Sequence, residues 1–139
     1  MKTNRSIPNA AIIPELAYED VATAARWLAD AFGFRERLRI ANHRIQLTFA
    51  GSAIVVKDGT AQPTTAESAR HSILLRVDDL DSMFERAVRG GARVIREPAD
   101  HPFGERQCTI QDPGGHVWTL SQSIADVNPA DWGGELVGD

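Results

Sequence analysis

The sequence predicts an α+β domain built from two copies of one module, each a strand, a helix and three further strands. Three observations carry that expectation. Leu16-Ala17-Tyr18-Glu19-Asp20-Val21 is matched fifty-nine positions later by Leu75-Arg76-Val77-Asp78-Asp79-Leu80, and an internal repeat marks a fold assembled from similar units. Each copy then enters a helical apolar period closed by glycine: Val21, Ala24, Ala25, Leu28 and Phe32 before Gly33, and Leu80, Met83, Phe84, Ala87 and Val88 before Gly90-Gly91. Finally, Glu105 to Ser121 alternates apolar and polar residues on both sides of Asp112-Pro113-Gly114-Gly115, the pattern of two half-buried strands about a tight turn. A single module cannot cover its own sheet face. Two copies side by side are therefore expected to form a curved eight-stranded mixed sheet, with helices outside and a polar concave face inside.

In chain order, residues 1–10 read as a polar arm, mobile or docked at a sheet edge. Ala11 to Tyr18 follows as a strand in which Pro14 implies an edge or a bulge. Asp20 is suited to cap the first helix, which ends near Phe32. Phe34 to Ile40, His43 to Ala50 and Ala53 to Lys57 are the next strands, turned at Ala41-Asn42 and Ala50-Gly51-Ser52, which closes a first module over 11–57. Residues 58–70 hold Gly59, Pro63 and small polar residues with neither period, and read as a linker. The second module, 71–123, has a strand at Ile73 to Val77, a helix capped by Asp78 or Asp79, a strand at Ala92 to Glu97, and the hairpin. A tail, 124–139, contains Asn128-Pro129 and Trp132; that tryptophan and Trp27 are candidates for packing against the body or a partner subunit.

With 139 residues, 42% of them hydrophobic and 24% charged, the chain suits one globular domain. The longest apolar runs are a few residues, so no membrane span is expected. The first residues lack the apolar core of a secretory signal, and the expected compartment is the cytoplasm. A net charge of −4 without a concentrated basic face argues against nucleic acid as a partner. Only Lys2 and Lys57 are lysines, so 13 of the 15 basic residues are arginines, which stay charged and grip carboxylate or phosphate in a bidentate fork. The lone Cys108 reads as a buried inert thiol.

The repeated plan, the segment Val77 to Pro98 (VDDLDSMFERAVRGGARVIREP) and the segment Asp112 to Gln122 (DPGGHVWTLSQ) resemble the vicinal oxygen chelate superfamily, and within it the small glyoxalase and bleomycin-resistance-like proteins, over about residues 11–123. The resemblance implies the glyoxalase/bleomycin resistance/dihydroxybiphenyl dioxygenase fold, pairing of two chains so that a cleft is shared, and in the enzymes a divalent metal held by His and Glu at the first and last strands of each module. The corresponding positions here are Ile13, Ser72, Thr119 and the stretch Val55 to Lys57, none of them an imidazole or carboxylate. No metal and no cofactor are therefore expected. His71 adjoins one of these positions and reaches it only through a bulge; His43 and His116 begin strands, and His101 is expected to face solvent.

Alternation assigns Ile12, Leu16, Tyr18, Ile45, Leu47, Phe49, Ile54, Val56, Ile73, Leu75, Val77, Trp118 and Leu120 to the core facing the helices. The opposite parity gives the expected ligand-binding residues: Glu15, Arg44, Gln46, Ser72, Arg76, Gln107 and Thr119, with Arg44 and Arg76 as the cations and Glu15 opposing one of them. The same parity also describes the wet face of an ordinary sheet. The expected function is a non-catalytic protein, paired as a homodimer, that sequesters or carries a polar, aromatic or anionic small molecule without a metal. Two alternatives stand beside it: a metal-dependent lyase, isomerase or dioxygenase, and a regulatory or structural dimer.

Overall fold

A computed structural model describes residues 2–59 and 71–138, so most of the expected linker lies outside the described residues. The chain divides into two compact units, Met1–Thr65 with Pro113–His116, and Ala66–Asp112 with Val117–Asp139.

In the first unit the elements are β1 (Glu15–Tyr18), α1 (Val21–Phe32), β2 (Arg35–Ile40), β3 (Arg44–Phe49) and β4 (Ser52–Asp58). Helix α1 starts at Asp20, whose extended backbone lets its carboxylate accept from Thr23 N at 3.0 Å. The helix stops at Gly33, where φ of 84° admits the left-handed turn that returns the Gly33 N–H to Ala29 O. The crossover carries the chain past the neighbouring position, so β1 pairs in parallel with β4 and the sheet order is β1-β4-β3-β2. Apolar residues of α1, among them Val21, Leu28 and Phe32, are buried, as are Ile45, Leu47, Ile54 and Val56 on the sheet, and full burial stabilises by about 1.5–3 kcal/mol per large apolar side chain.

Two expectations are corrected here. The first strand begins at Glu15, not Ala11, and Ile12 is 84% exposed instead of core. Pro14 has no N–H to contribute to a ladder; its carbonyl accepts from Val55 N at 2.9 Å and pairing begins one residue later. The N-terminal arm takes the docked alternative, held by the edge strand β2 and its neighbour β3: Arg37 Nη2 donates to Arg5 O at 2.8 Å, Gln46 Nε2 donates to Ser6 O at 2.9 Å, and Pro8 is buried.

The second unit repeats the plan with β5 (Ile73–Arg76), α2 (Leu80–Arg89), β6 (Arg93–Asp100), β7 (Glu105–Gln111) and β8 (Val117–Ser123), in the order β5-β8-β7-β6. Asp79, not Asp78, caps α2 by accepting from Ser82 N, and Gln122 Oε1 accepts from Leu80 N at 2.8 Å, so a side chain of β8 satisfies another orphan donor of the helix. The second strand of this module, β6, runs to Asp100, beyond the expected Glu97, and includes Pro98. That proline is tolerated because β6 is an edge of its sheet and its register slips between Val94 and Arg96 and between Arg96 and Ala99. Around the hairpin turn, Asp112 is buried and its Oδ2 accepts from the indole N–H of fully buried Trp118 at 2.9 Å. Of the remaining expected core, Phe49 and Ile73 are half-buried; Leu16, Tyr18, Leu75, Val77 and Leu120 are buried.

The result is an α+β chain of two βαβββ modules whose eight strands form two hydrogen-bonded sheets of four. Among the described residues no helix is long and apolar enough to cross a membrane.

Candidate functional site

The face of the first sheet opposite the α1-facing parity is set by register. Glu15 and Gln46 both stand opposite Val55, and Arg44 stands opposite Lys57, so the pleat turns Glu15, Arg44, Gln46 and Lys57 to one side. Glu15 is the hub: Arg44 Nη2 lies 2.6 Å from its Oε2 and Lys57 Nζ lies 3.1 Å from its Oε1. Hydrogen bonds from Arg44 first, then Lys57, hold the Glu15 carboxyl below its ordinary value. Two cations against one carboxylate leave this corner with one excess positive charge. Gln46 is 5% exposed and forms a second group, accepting from Arg37 Nη1 at 2.6 Å while its amide N–H₂ holds the arm. His116 belongs to this unit too: its Nε2–H donates to Ala17 O at 2.7 Å, and its ring lies 4.6 Å from that of Tyr18.

On the second sheet, Leu74 is opposite Thr119, Arg76 opposite Ser121, and Ser121 opposite Gln107. These residues share a face with Glu105, Thr109 and Ser123, and the side chains of Arg76, Ser123, Glu105, Ser121 and Gln107 are hydrogen-bonded in series. Arg76 Nη2 donates to Ser123 Oγ at 3.0 Å, Gln107 Nε2 donates to Ser121 Oγ at 3.0 Å, and Ser121 O–H donates to Glu105 Oε1 at 2.7 Å. Thr109 and Thr119 share a hydrogen bond of 3.1 Å alongside. Arg76, Val77, Asp78, Gln122 and Ser123 line a depression of about 280 Å³, near the lower end of the size of small-molecule sites.

The hydroxyls of Ser123 and Ser121, with the charge of Arg76 adding to them, hold the Glu105 carboxyl below its ordinary value of 4.5. The folded chain thus binds this proton less tightly than the unfolded chain, so the stabilisation is complete above the ordinary value and is lost as pH falls through the lower folded one. The expected result is a wild-type urea midpoint that declines between pH 5 and pH 3 more steeply than that of Glu105→Gln; equal slopes would show that the carboxylate adds nothing to the fold.

Of the sequence-assigned residues, Glu15 and Arg44 meet in the first unit, where Glu15 opposes Arg44, while Gln46 is engaged by the arm and Arg37. Arg76 and Gln107 are tied into the second network and Thr119 lies on its face. Ser72 is exposed and precedes β5. Lys57, Glu105 and Ser123 were not assigned, although each lies on the face of a residue that was: Lys57 stands opposite Arg44, Glu105 keeps the parity of Gln107, and Ser123 that of Thr119. Arg37 has no such signal, because the register of β2 shifts between Glu36 and Leu38.

The positions where the enzymes of the resembled family hold a metal do not form a donor set here. Ile13 offers no donor atom, Ser72 is exposed outside the strand, the Thr119 hydroxyl is shared with Thr109, and Lys57 is paired with Glu15. Among the described residues no group of three or more His, Cys, Asp or Glu side chains could hold a metal ion. His71 is exposed and lies outside β5, and His101 is half-buried, stacked on Phe103 at 5.1 Å, in place of the expected solvent-facing ring. Burial pushes the Cys108 thiol up to about 11, which leaves almost no thiolate at neutral pH.

A family model for the glyoxalase/bleomycin resistance protein/dioxygenase superfamily matches residues 10–120. An uncharacterized protein of Mycobacterium bovis is 30% identical over 131 residues, covering 85% of this chain and 86% of its own length. Among solved structures, TioX from Micromonospora sp. ML1 is 28% identical with a TM-score of 0.66, and the match covers 86% of this chain and all of TioX. FosX, a fosfomycin resistance protein of Listeria monocytogenes, superposes with a TM-score of 0.68 over 84% of this chain and 94% of its own; at 16% identity that likeness is one of fold.

Proposed function

The chain belongs to the glyoxalase/bleomycin resistance protein/dioxygenase superfamily, and from that premise we propose that it is a binding protein, without catalytic activity, for a small polar or aromatic anion that it sequesters or carries without a divalent metal. It acts in this reading as a cytoplasmic homodimer, with Glu15, Arg44, Gln46, Arg76, Gln107 and Thr119 on ligand-facing strands and Ser72 just before β5.

The observation that supports the reading is the polar face of the second sheet. Arg76 spends a guanidinium N–H on Ser123 and stands at the rim of the depression it lines with Asp78 and Gln122. A guanidinium carries five donors, so the rest remain for a carboxylate or phosphate, and a charge-assisted bond contributes about 1.5–3 kcal/mol. The adjoining serines, threonines and Gln107 are already oriented by one another, which lowers the ordering cost of binding.

The test is a thermal-shift screen of small carboxylates, phosphates and aromatic acids against protein whose metal content has been measured. A hit stabilises the fold by mass action. Arg76→Ala is expected to weaken a carboxylate hit roughly tenfold to a hundredfold, as the loss of one charge-assisted bond implies. One tightly held divalent ion per chain would overturn the metal-free reading in favour of a lyase, isomerase or dioxygenase. No stabilisation by any compound would leave a regulatory or structural dimer, and a single-chain mass in solution would remove the dimer.

A further inference from the structure

The N-terminal arm occupies a two-donor site. Arg37 Nη1 donates to Gln46 Oε1 at 2.6 Å, which fixes the amide so that its N–H₂ points away from Arg37. The pair then presents two donors together: Arg37 Nη2 to Arg5 O at 2.8 Å and Gln46 Nε2 to Ser6 O at 2.9 Å, consecutive carbonyls of one short stretch of chain. The arm is shaped for the seat by its own turn. Ser6 N donates to Asn4 Oδ1 at 3.0 Å, Ile7 N donates to Asn4 O at 3.3 Å, and Pro8 is buried beyond it. Gln46, on the same sheet face as Glu15 and Arg44, is only 5% exposed with the arm in place.

We propose that Arg37 and Gln46 form a binding site for a carboxylate, and that the Arg5–Ser6 stretch is its intramolecular occupant, displaced when the carboxylate binds. The arm supplies neutral carbonyl oxygens to a guanidinium. A carboxylate supplies charged ones to the same donors, and a guanidinium–carboxylate pair adds charge attraction and a bidentate geometry that a single backbone carbonyl does not offer. The arm is covalently attached and so has a high effective concentration, which a free ligand must exceed. This inference rests on the proposed ligand-facing role of Gln46 and adds Arg37, the chemical class of the ligand and a regulated opening.

Native-state cleavage by trypsin after Arg5 reports the arm directly, since the Arg5 carbonyl held by Arg37 is the scissile one, and cleavage of a briefly opened segment tracks the population of its open form. The full chain is incubated with succinate, with benzoate, or with sodium chloride at matched ionic strength. Loss of residues 1–5 is followed by mass, and a free peptide of residues 2–10 serves as the control for the protease itself. The expected result is cleavage accelerated several-fold by at least one carboxylate and not by chloride. Arg37→Ala is expected to cleave roughly tenfold or more faster without any ligand, as loss of one hydrogen bond from a charged donor implies, and to show no further response to carboxylate. Arg37→Lys keeps the charge but not the fork, and is expected to fall between them. Cleavage as fast as in the free peptide, or a carboxylate response that survives Arg37→Ala, would overturn the proposal. So would a response to chloride as large as that to carboxylate. A failure here leaves Arg76 and the second sheet untouched, because thermal stabilisation lost on Arg76→Ala reads a different module.

Discussion

Trp118→Ala is expected to remove about 3–5 kcal/mol of stability, the usual cost of truncating a large buried aromatic to alanine. Trp118 is fully buried in the second unit and its indole N–H meets buried Asp112 Oδ2 at 2.9 Å. The substitution therefore opens a cavity and also takes a donor away from a buried carboxylate, two costs that add in the same direction. For a domain whose whole stability is about 5–15 kcal/mol, this is a large fraction of the total, read as a urea midpoint lowered by one to several molar for a slope of about 1–3 kcal/mol per molar. Trp118→Phe separates the two costs. It keeps most of the ring volume and loses the N–H, and about 1–3 kcal/mol is expected. If the phenylalanine variant were as stable as wild type, the Asp112–Trp118 bond would have no part in fastening the turn.

Gly104→Ala is expected to destabilise by about 2–4 kcal/mol, and to do so locally. Gly104 has φ of 85°, and a Cβ added there would overlap the carbonyl oxygen of Ala125 and touch Val127. A left-handed conformation costs an alanine about 1–2 kcal/mol, and overlap with backbone adds a cost of similar size that no side-chain rotation relieves. Ile124 N and Ala125 N both donate to Gly104 O, at 2.8 and 3.3 Å, so the same substitution strains the seam that holds the tail. The tail continues into a 3-10 helix, Pro129–Trp132, whose Trp132 ring lies 5.4 Å from that of Phe103. Release of the tail should therefore appear as faster amide exchange over residues 124–132 and a red shift in Trp132 emission, while exchange in β7 and β8 stays slow. Loss of protection throughout the second unit would instead show that the tail is part of its cooperative core.

Glu15, Arg44, Gln107 and Trp118 show how far alternation and spacing reach. A period of two decides which side of a sheet a residue occupies, and the repeat at Leu16 and Leu75 decides that the pattern occurs twice; both are local properties, written in neighbouring residues. Caps belong to the same class. Asp20 and Gly33 bound α1 as their chemistry requires, because the groups they satisfy lie within a few positions of them. Ile12 fails for a reason equally local, since Pro14 interrupts the ladder that would have carried the alternation outward.

The sequence by itself therefore determined the α+β class, the two βαβββ modules, most of their core parity and the face on which Glu15, Arg44, Arg76, Gln107 and Thr119 lie. Only the tertiary structure decided who bonds to whom across that face: that Lys57 shares Glu15 with Arg44, that Ser121 links Gln107 to Glu105, and that Arg37 and Gln46 are held by residues 5 and 6. Register and bulges bring together side chains separated by as many as 47 positions, and hydrogen bonding depends on those last few ångströms, which no local period encodes.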